Sequence, residues 1–438
     1  MFRLHETTRR RLCRTAFVLL CVAPPVAIGG WGALERLSRE TTRCQRQLSE
    51  QLGLHATLVR VEHPRPGVTR YVGLELTDPE TGQTVFRAKQ AELTAPVAGA
   101  KIGQVVLVEP QFEAERLESL RQLLLRAVRR EFSQRDVEWR VSAATVEVHT
   151  STGPLSLVDA SGGFTSAAMG SQAWIRFYPT GAEKTPRGSD QRVQVRLVRN
   201  RQGDLPYTGF ALFTHGAELP CDPLLQLVGL DARLGAKSRF RGYAEDAGAN
   251  EIPDVAVVCN EAGWDATVRG CFVDVDLRRL IGPKSPHQMD GRATLNVAYA
   301  KFERGRLAEA ECSLVAGPGR VSRSLLTAAI EELGMRGAEP TAGTGLVSYE
   351  QLAARMELDR QGTLTITGDC DRRASGVVLS GSAPQPPLLL VEPKTQPQSV
   401  VGLVRMLSPS GDSLVPATQQ AAGLLQWLPL PPGDKLLR

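Results

Sequence analysis

The chain has 438 residues, 42% of them hydrophobic and only 5% aromatic, and carries a net charge of +5 at neutral pH. That length holds two or three ordinary domains, and the apolar share supports a sizeable core. No dense Lys/Arg block is interleaved with aromatics, so the composition speaks against a nucleic-acid partner.

Arg9, Arg10, Arg11 and Arg14 precede an uncharged apolar stretch from Ala16 to Leu34. About 20 such residues span a bilayer, and basic flanks stay on the cytoplasmic side. The expectation is a single-pass anchor carried by Ala16, Phe17, Val18, Leu19, Leu20, Val26, Ile28, Trp31 and Leu34, with the rest of the chain exported. A cleaved signal peptide is the alternative, since Pro24-Pro25 splits the run and Ala27, Gly29 and Gly30 are small. Against it, the run continues to Leu34 without an Ala-x-Ala triplet. The domain reading is therefore a basic start and anchor over 1–35, an exported domain over 36–383, and a Pro-rich, loosely ordered tail over 384–438.

Glu35 to Leu54 has helical spacing. Leu58 to Val61 leads to a turn at His63 to Gly67. Tyr71 to Leu76 and Thr84 to Leu93 read as strands around an Asp78 to Gly82 turn. Val105 to Val108 is a strand ended by Pro110. Leu117, Leu120, Leu124, Ala127 and Val128 form one face of a helix whose other side carries Arg121, Arg126, Arg129 and Arg130. That helix is expected to pack on a sheet with its basic side solvated; anionic headgroups are the other occupant such a side suits.

Strand alternation resumes at Val141 to Val148, Leu155 to Val158, Ala173 to Tyr178 and Val193 to Leu197, with a polar loop from Pro179 to Asp190. Leu224 to Leu230 reads as a short helix or turn. Ser238 to Tyr243, Val255 to Cys259, Trp264 to Leu277 and Ala293 to Ala300 follow as strands. Phe302 to Gly305 turns into a strand over Arg306 to Val315. A helix from Ser322 to Leu333 is closed by Gly334. Ser348 and Gln351 fit a capping box opening a short helix, before strands at Ala354 to Leu358 and Gly362 to Gly368. Short strands at this spacing, without βαβ alternation, predict a mainly β, antiparallel architecture with a few amphipathic helices.

Few residues invite chemistry. There is no Gly-x-Ser-x-Gly elbow and no His-Glu-x-x-His pair. Gly235 to Ser238 lacks the leading glycine of a phosphate loop. The six histidines are scattered, and no metal or cofactor is expected. Asp274 and Asp276 share one face of a strand by period two; a solvated face is the expected reading, with cation binding or acid–base work the alternative. Outside the anchor region, Cys44, Cys221, Cys259, Cys271, Cys312 and Cys370 are widely spaced. They read equally as small buried hydrophobes, and Cys259–Cys271 is the first pair to suspect if a disulfide forms.

The order of these segments carries a resemblance. An anchor leads to Gln51-Leu-Gly-Leu54. Gly73 to Asp78 opens a hairpin, and Val105 to Pro110 runs into an amphipathic helix. Asp290 to Leu295, Phe302 to Leu307 and Gly317 to Ser322 then repeat a hairpin texture. Up to about Leu379 this resembles the AsmA-like family, related to TamB and the bridge-like lipid-transfer proteins. The resemblance implies a single-pass inner-membrane protein of a two-membrane bacterium whose periplasmic part is an elongated, curved β-sheet. It implies a non-enzymatic role in handling a phospholipid-like ligand for envelope maintenance. Independently, alternate strand residues face opposite sides, so a curled sheet can keep one apolar side. Val146, Val148, Val193, Val195, Leu197, Leu295, Val297, Leu364 and Ile366 are the residues expected to line it. The competing readings are an ordinary sandwich core, and a membrane-tethered scaffold that binds other envelope proteins through sheet edges.

Overall fold

The computed structural model describes residues 39–96, 102–113, 138–150, 153–167, 170–179, 192–200, 206–227, 234–235, 237–243, 251–260, 263–281, 285, 287–337, 345–370, 376–381 and 388–407, together with Phe17. The predicted anchor lies outside them save for Phe17, which is helical and exposed; so do the basic helix over 117–130 and most of the 179–190 loop. Among the described residues no helix is long and apolar enough to cross a membrane. The fold is mainly β, and the chain divides into two compact units, residues 1–113 with 139–144, and 114–138 with 145–438.

In the first unit, α1 (39–52) precedes β1 (His55–Thr57), β2 (Arg60–Arg65), β3 (Val68–Thr77), β4 (Thr84–Thr94) and β5 (Ile102–Glu113). Both β1 and β2 pair with β3, and β3, β4 and β5 follow as antiparallel neighbours. The turns fall where glycine allows a left-handed backbone, at Gly67 (φ 78) and Gly82 (φ 66). α1 is tied to the sheet's start: Gln45 Nε2 donates to the Leu58 carbonyl at 3.2 Å, and Ser49 Oγ accepts from Ala56 N at 2.9 Å. Contrary to expectation, β5 does not stop at Pro110. It runs to Glu113, with Pro110 opposite Ala88 and Glu109 turned into the left-handed region at φ 50. That local distortion seats a residue with no N–H to give the ladder. Residues 139–144 of β6 (Glu138–Thr150) belong to this unit, and the Trp139 ring lies over Gly103.

The second unit is one long meander. β7 (Gly153–Ala167), β8 (Gly170–Pro179), β9 (Val193–Asn200), β10 (Tyr207–Phe213), β13 (Val255–Asn260), β14 (Gly263–Asp276), β16 (Arg292–Glu303), β17 (Arg306–Ala316), β19 (Leu346–Leu358) and β20 (Thr363–Gly368) are successive antiparallel neighbours. Shorter pieces complete it. β11 (Glu218–Pro220), α2 (Cys221–Leu227) and β12 (Arg239–Arg241) sit beside β14, while α3 (Leu277–Ile281), β15 (Met289–Asp290) and β18 (Gly319–Ser322) lead to α4 (Arg323–Leu333). β21 (Val377–Gly381) pairs with β19, and β22 (Leu388–Val391) pairs with β21. The outer side of β20 is met by β23 (Gln398–Ser399) and by Gln396, whose amide donates to the Ile366 carbonyl at 2.6 Å; α5 (Val400–Leu407) follows.

Local chemistry explains the helix ends. Ser322 caps α4 by accepting from Leu325 N at 3.3 Å, and Gly334 closes it at φ 62. The spacing predicts a face of Leu325, Leu326, Ala329, Ile330 and Leu333; all are buried except Ile330, which is half-buried. The capping box at Ser348 and Gln351 is a misreading. Residues 346–358 form β19, because Leu352, Ala354, Met356 and Leu358 gain strand partners on both sides, and tertiary pairing outweighs a local capping signal. Nor is the chain after residue 384 all loose tail: residues 388–407 supply β22, β23 and α5, while 408–438 lie outside the described residues.

Tyr349 shows how tightly the helix end of this unit is fitted. It is among the largest fully buried side chains, and its hydroxyl donates to the Asp290 carbonyl at 2.8 Å. Burial pushes that hydroxyl's pKa up to about 12, so it stays a donor. A methyl group at Gly319 would run into both the Asp290 carbonyl oxygen and the Tyr349 hydroxyl. Gly319→Ala is expected to cost about 1–3 kcal/mol by overpacking, read as a lower urea midpoint with unchanged slope.

Candidate functional site: a sheet with one apolar face

Residues directly opposite one another in antiparallel strands point to the same side. The register of the second unit therefore shows what each face carries. One cross-strand row reads Ile175, Val195, Leu212, Val255, Val268, Ala300, Ala310, Leu358, Leu364, from β8 to β20 without a polar residue. A parallel row reads Phe164, Ala173, Leu197, Phe210, Val257, Ala266, Phe302, Leu307. A third, Phe272, Leu295, Leu314 and Ala354, continues the face on the later strands, as does a fourth through Val297, Cys312, Met356 and Ile366. At about 4.8 Å per strand, the nine-strand row is about 38 Å wide.

The other face is mixed, with its charged and hydroxyl residues concentrated on the later strands and Val258 and Val315 exposed among them. Its matching row is Trp174, Arg196, Ala211, Ala256, Thr267, Lys301, Glu309. Further along, Glu311, Glu357 and Thr365 stand beside Ser313, Arg355 and Thr367. Arg355 pairs with Glu311 and Glu357, and Arg360 with Glu309. An open pocket of about 620 Å³ lies among Tyr299, Glu309, Glu311, Glu357 and Arg360, with its carboxylates largely answered by these arginines.

Two features keep the apolar face continuous. At the β16 bulge, Val297 and Ala300 pair with Cys312 and Ala310, so one extra residue is absorbed and both keep to the same side. At the edge of β13, the buried Asp254 carboxylate accepts from Thr214 N (2.7 Å), Thr214 Oγ1 (2.9 Å) and Tyr243 N (3.2 Å). Burial raises its pKa, opposed by these hydrogen bonds and by Arg269. The group pins the ends of β10, β12 and β13 together. Tyr243 in turn reaches Asn296 Oδ1 at 2.7 Å.

The predicted lining residues fall as follows. Val195 and Leu364 lie in the first row, Leu197 in the second, Leu295 in the third, and Val297 and Ile366 in the fourth. Val193, two residues before Val195, faces the same side and pairs with Phe177. Val146 and Val148 share one face of β6, which these rows do not include. Val193, Val297, Leu364, Ile366 and Val146 are buried, while Val195, Leu197, Leu295 and Val148 are half-buried. The whole second row except Ala266 is only half-buried, and Ile175 is 36% exposed. Missing from the sequence reading are Phe210, Leu212, Val255, Val257, Ala310 and Leu358, the middle of the face.

The other candidates disperse. Asp274 adopts φ 60 at a register shift, which breaks the period-two pairing with Asp276. Asp274 faces Arg292 at 3.8 Å, and Asp276 accepts from Arg278 N. No group of three potential metal ligands occurs among the described residues. None of the six described cysteines is in a disulfide. Cys259 stands opposite Trp264 and Cys271 opposite Asn296, so the β13–β14 hairpin keeps that suspected pair apart. Compared with protein-family models, curated proteins and solved structures, the chain matches none.

Proposed function

We propose that this is a membrane-anchored periplasmic protein of the AsmA-like kind that handles lipid, holding acyl chains against the apolar face of its second unit. The single observation behind this is the unbroken apolar row across nine strands, accompanied by a second row left half-buried. In the nine-strand row Leu212, Val255, Ala300, Leu358 and Leu364 are buried, so the weight falls on the second row: a finished sandwich core buries such residues fully, and a surface meant for water does not carry them in register. The inner membrane is the lipid source, through the Ala16 to Leu34 segment. The transfer itself needs no bond making at this face, so the role is non-enzymatic there. The scaffold reading is less well supported, because the outer side of β20 is already met by β23.

Mass spectrometry of organic extracts from the purified full-length chain tests the reading. The expected result is a phospholipid recovered in stoichiometric amount after detergent exchange. Recovery no higher than from an unrelated anchored protein carried through the same steps overturns it.

A further inference from the structure

The apolar face of the second unit ends in a different kind of residue. On β9 the alternation of Val193, Val195 and Leu197 continues by period two to Arg199. The cross-strand row through it reads Ser171, Arg199, Thr208, Cys259, Trp264. That row lies two residues, about 7 Å, beyond the second apolar row. Among the described residues, Arg199 is the one charged side chain on this face in the paired positions from β8 to β20.

The surroundings orient this guanidinium without neutralising it. Nη1 donates to Thr208 Oγ1 at 3.1 Å, and the residue is half-buried. Among the described residues no carboxylate lies within ion-pair distance of it, whereas the neighbouring Arg192 meets Asp159 and Arg196 meets Glu251. A cation at the border of an apolar surface is costly to cover unless an anion answers it. The tether through Nη1 fixes the planar fork and leaves Nε and Nη2 for the oxygens of a phosphate. Trp264 stands at the same level, its ring 5.7 Å from Phe302 of the second row. An amphipathic indole suits the boundary between headgroup and hydrocarbon. From Leu197 back to Val193 the strand runs about 14 Å, close to the hydrocarbon depth of one leaflet, about 15 Å.

Given the lipid reading of this face, on which the assignment rests, we propose that Arg199 is its headgroup residue. It binds the phosphate of a phospholipid whose acyl chains run along the strands, over Leu197 and Val195 towards Val193. The face then holds a lipid in one orientation, head at the Arg199 level. It also prefers phosphate-bearing lipids to neutral lipids with the same chains.

The test uses the full-length chain in detergent and two fluorescent lipids with identical acyl chains, phosphatidylglycerol and diacylglycerol. Wild type is expected to bind phosphatidylglycerol about 10-fold more tightly. Arg199→Gln should remove that preference by weakening phosphatidylglycerol alone, with the thermal melt kept. Equal affinities in wild type, or an unchanged preference in folded Arg199→Gln, overturn the headgroup site and leave the lipid reading standing. Binding of neither lipid overturns the lipid reading and this site with it. If Arg199→Gln does not fold, phosphatidylglycerol with a photoreactive group on its head decides on the wild type. Crosslinks to residues 170–172, 198–200 or 206–209 support the site, and crosslinks elsewhere overturn it.

Discussion

Replacing Asp254 by alanine should destabilise the second unit by about 3–5 kcal/mol, the largest single loss expected among its polar residues. The carboxylate takes three hydrogen bonds, two from Thr214 and one from Tyr243 N, at a site only 4% exposed. Removing it strands two main-chain N–H groups and a hydroxyl in a buried place, where each unmet donor costs about 1–3 kcal/mol. Thr214 Oγ1 also accepts from Gly242 N at 2.9 Å, so the disturbance spreads to the end of β12. Urea unfolding measures it; a shift under 1 kcal/mol would mean that the latch is idle. The pH dependence has a definite sign. Burial holds the folded pKa above the ordinary 3.8, so the folded state binds this proton more tightly than the unfolded chain. This group's contribution is fully present below 3.8 and declines as pH rises through the folded value. Wild type measured against Asp254→Asn should show that decline.

A charge in the middle of the apolar face is the second large effect. Val257→Asp sits on β13 between Phe210 and Ala266, half-buried. A carboxylate there cannot share space with an acyl chain without a desolvation cost of several kcal/mol. Lipid recovered per chain is expected to fall at least tenfold, while the melting temperature changes little because the site is only half-buried. Thr267→Asp is the control, since it faces the polar side beside Lys301. If Val257→Asp unfolds the protein, the face is a filled core; if lipid content is unchanged, the ligand lies elsewhere.

Much of this face was legible because period two is explicit in its sequence. Val193, Val195 and Leu197 alternate with Gln194 and Arg196, so the strand announces its two sides. Val255 and Val257 do not, for they alternate with Ala256 and Val258, and a strand apolar on both sides hides its register. Phe210 and Leu212 sit in a strand containing Gly209, which reads as a break rather than a core position. Ala310 and Leu358 depend on pairings between β16, β17 and β19, which no local window contains. Asp254 gave no signal because a lone aspartate before a strand is ordinary until its three donors are placed around it.

The two residues of β23 and the amide of Gln396 set where the second unit's ladder stops. Ten antiparallel strands in succession would otherwise offer their last member as a template to a neighbouring molecule, and repeated docking of that sort grows filaments. A cap this short engages Thr363, Leu364 and the Ile366 carbonyl without presenting a fresh, flat rim of its own. A neighbouring molecule approaching this edge finds these groups already engaged, so growth by that route is blocked.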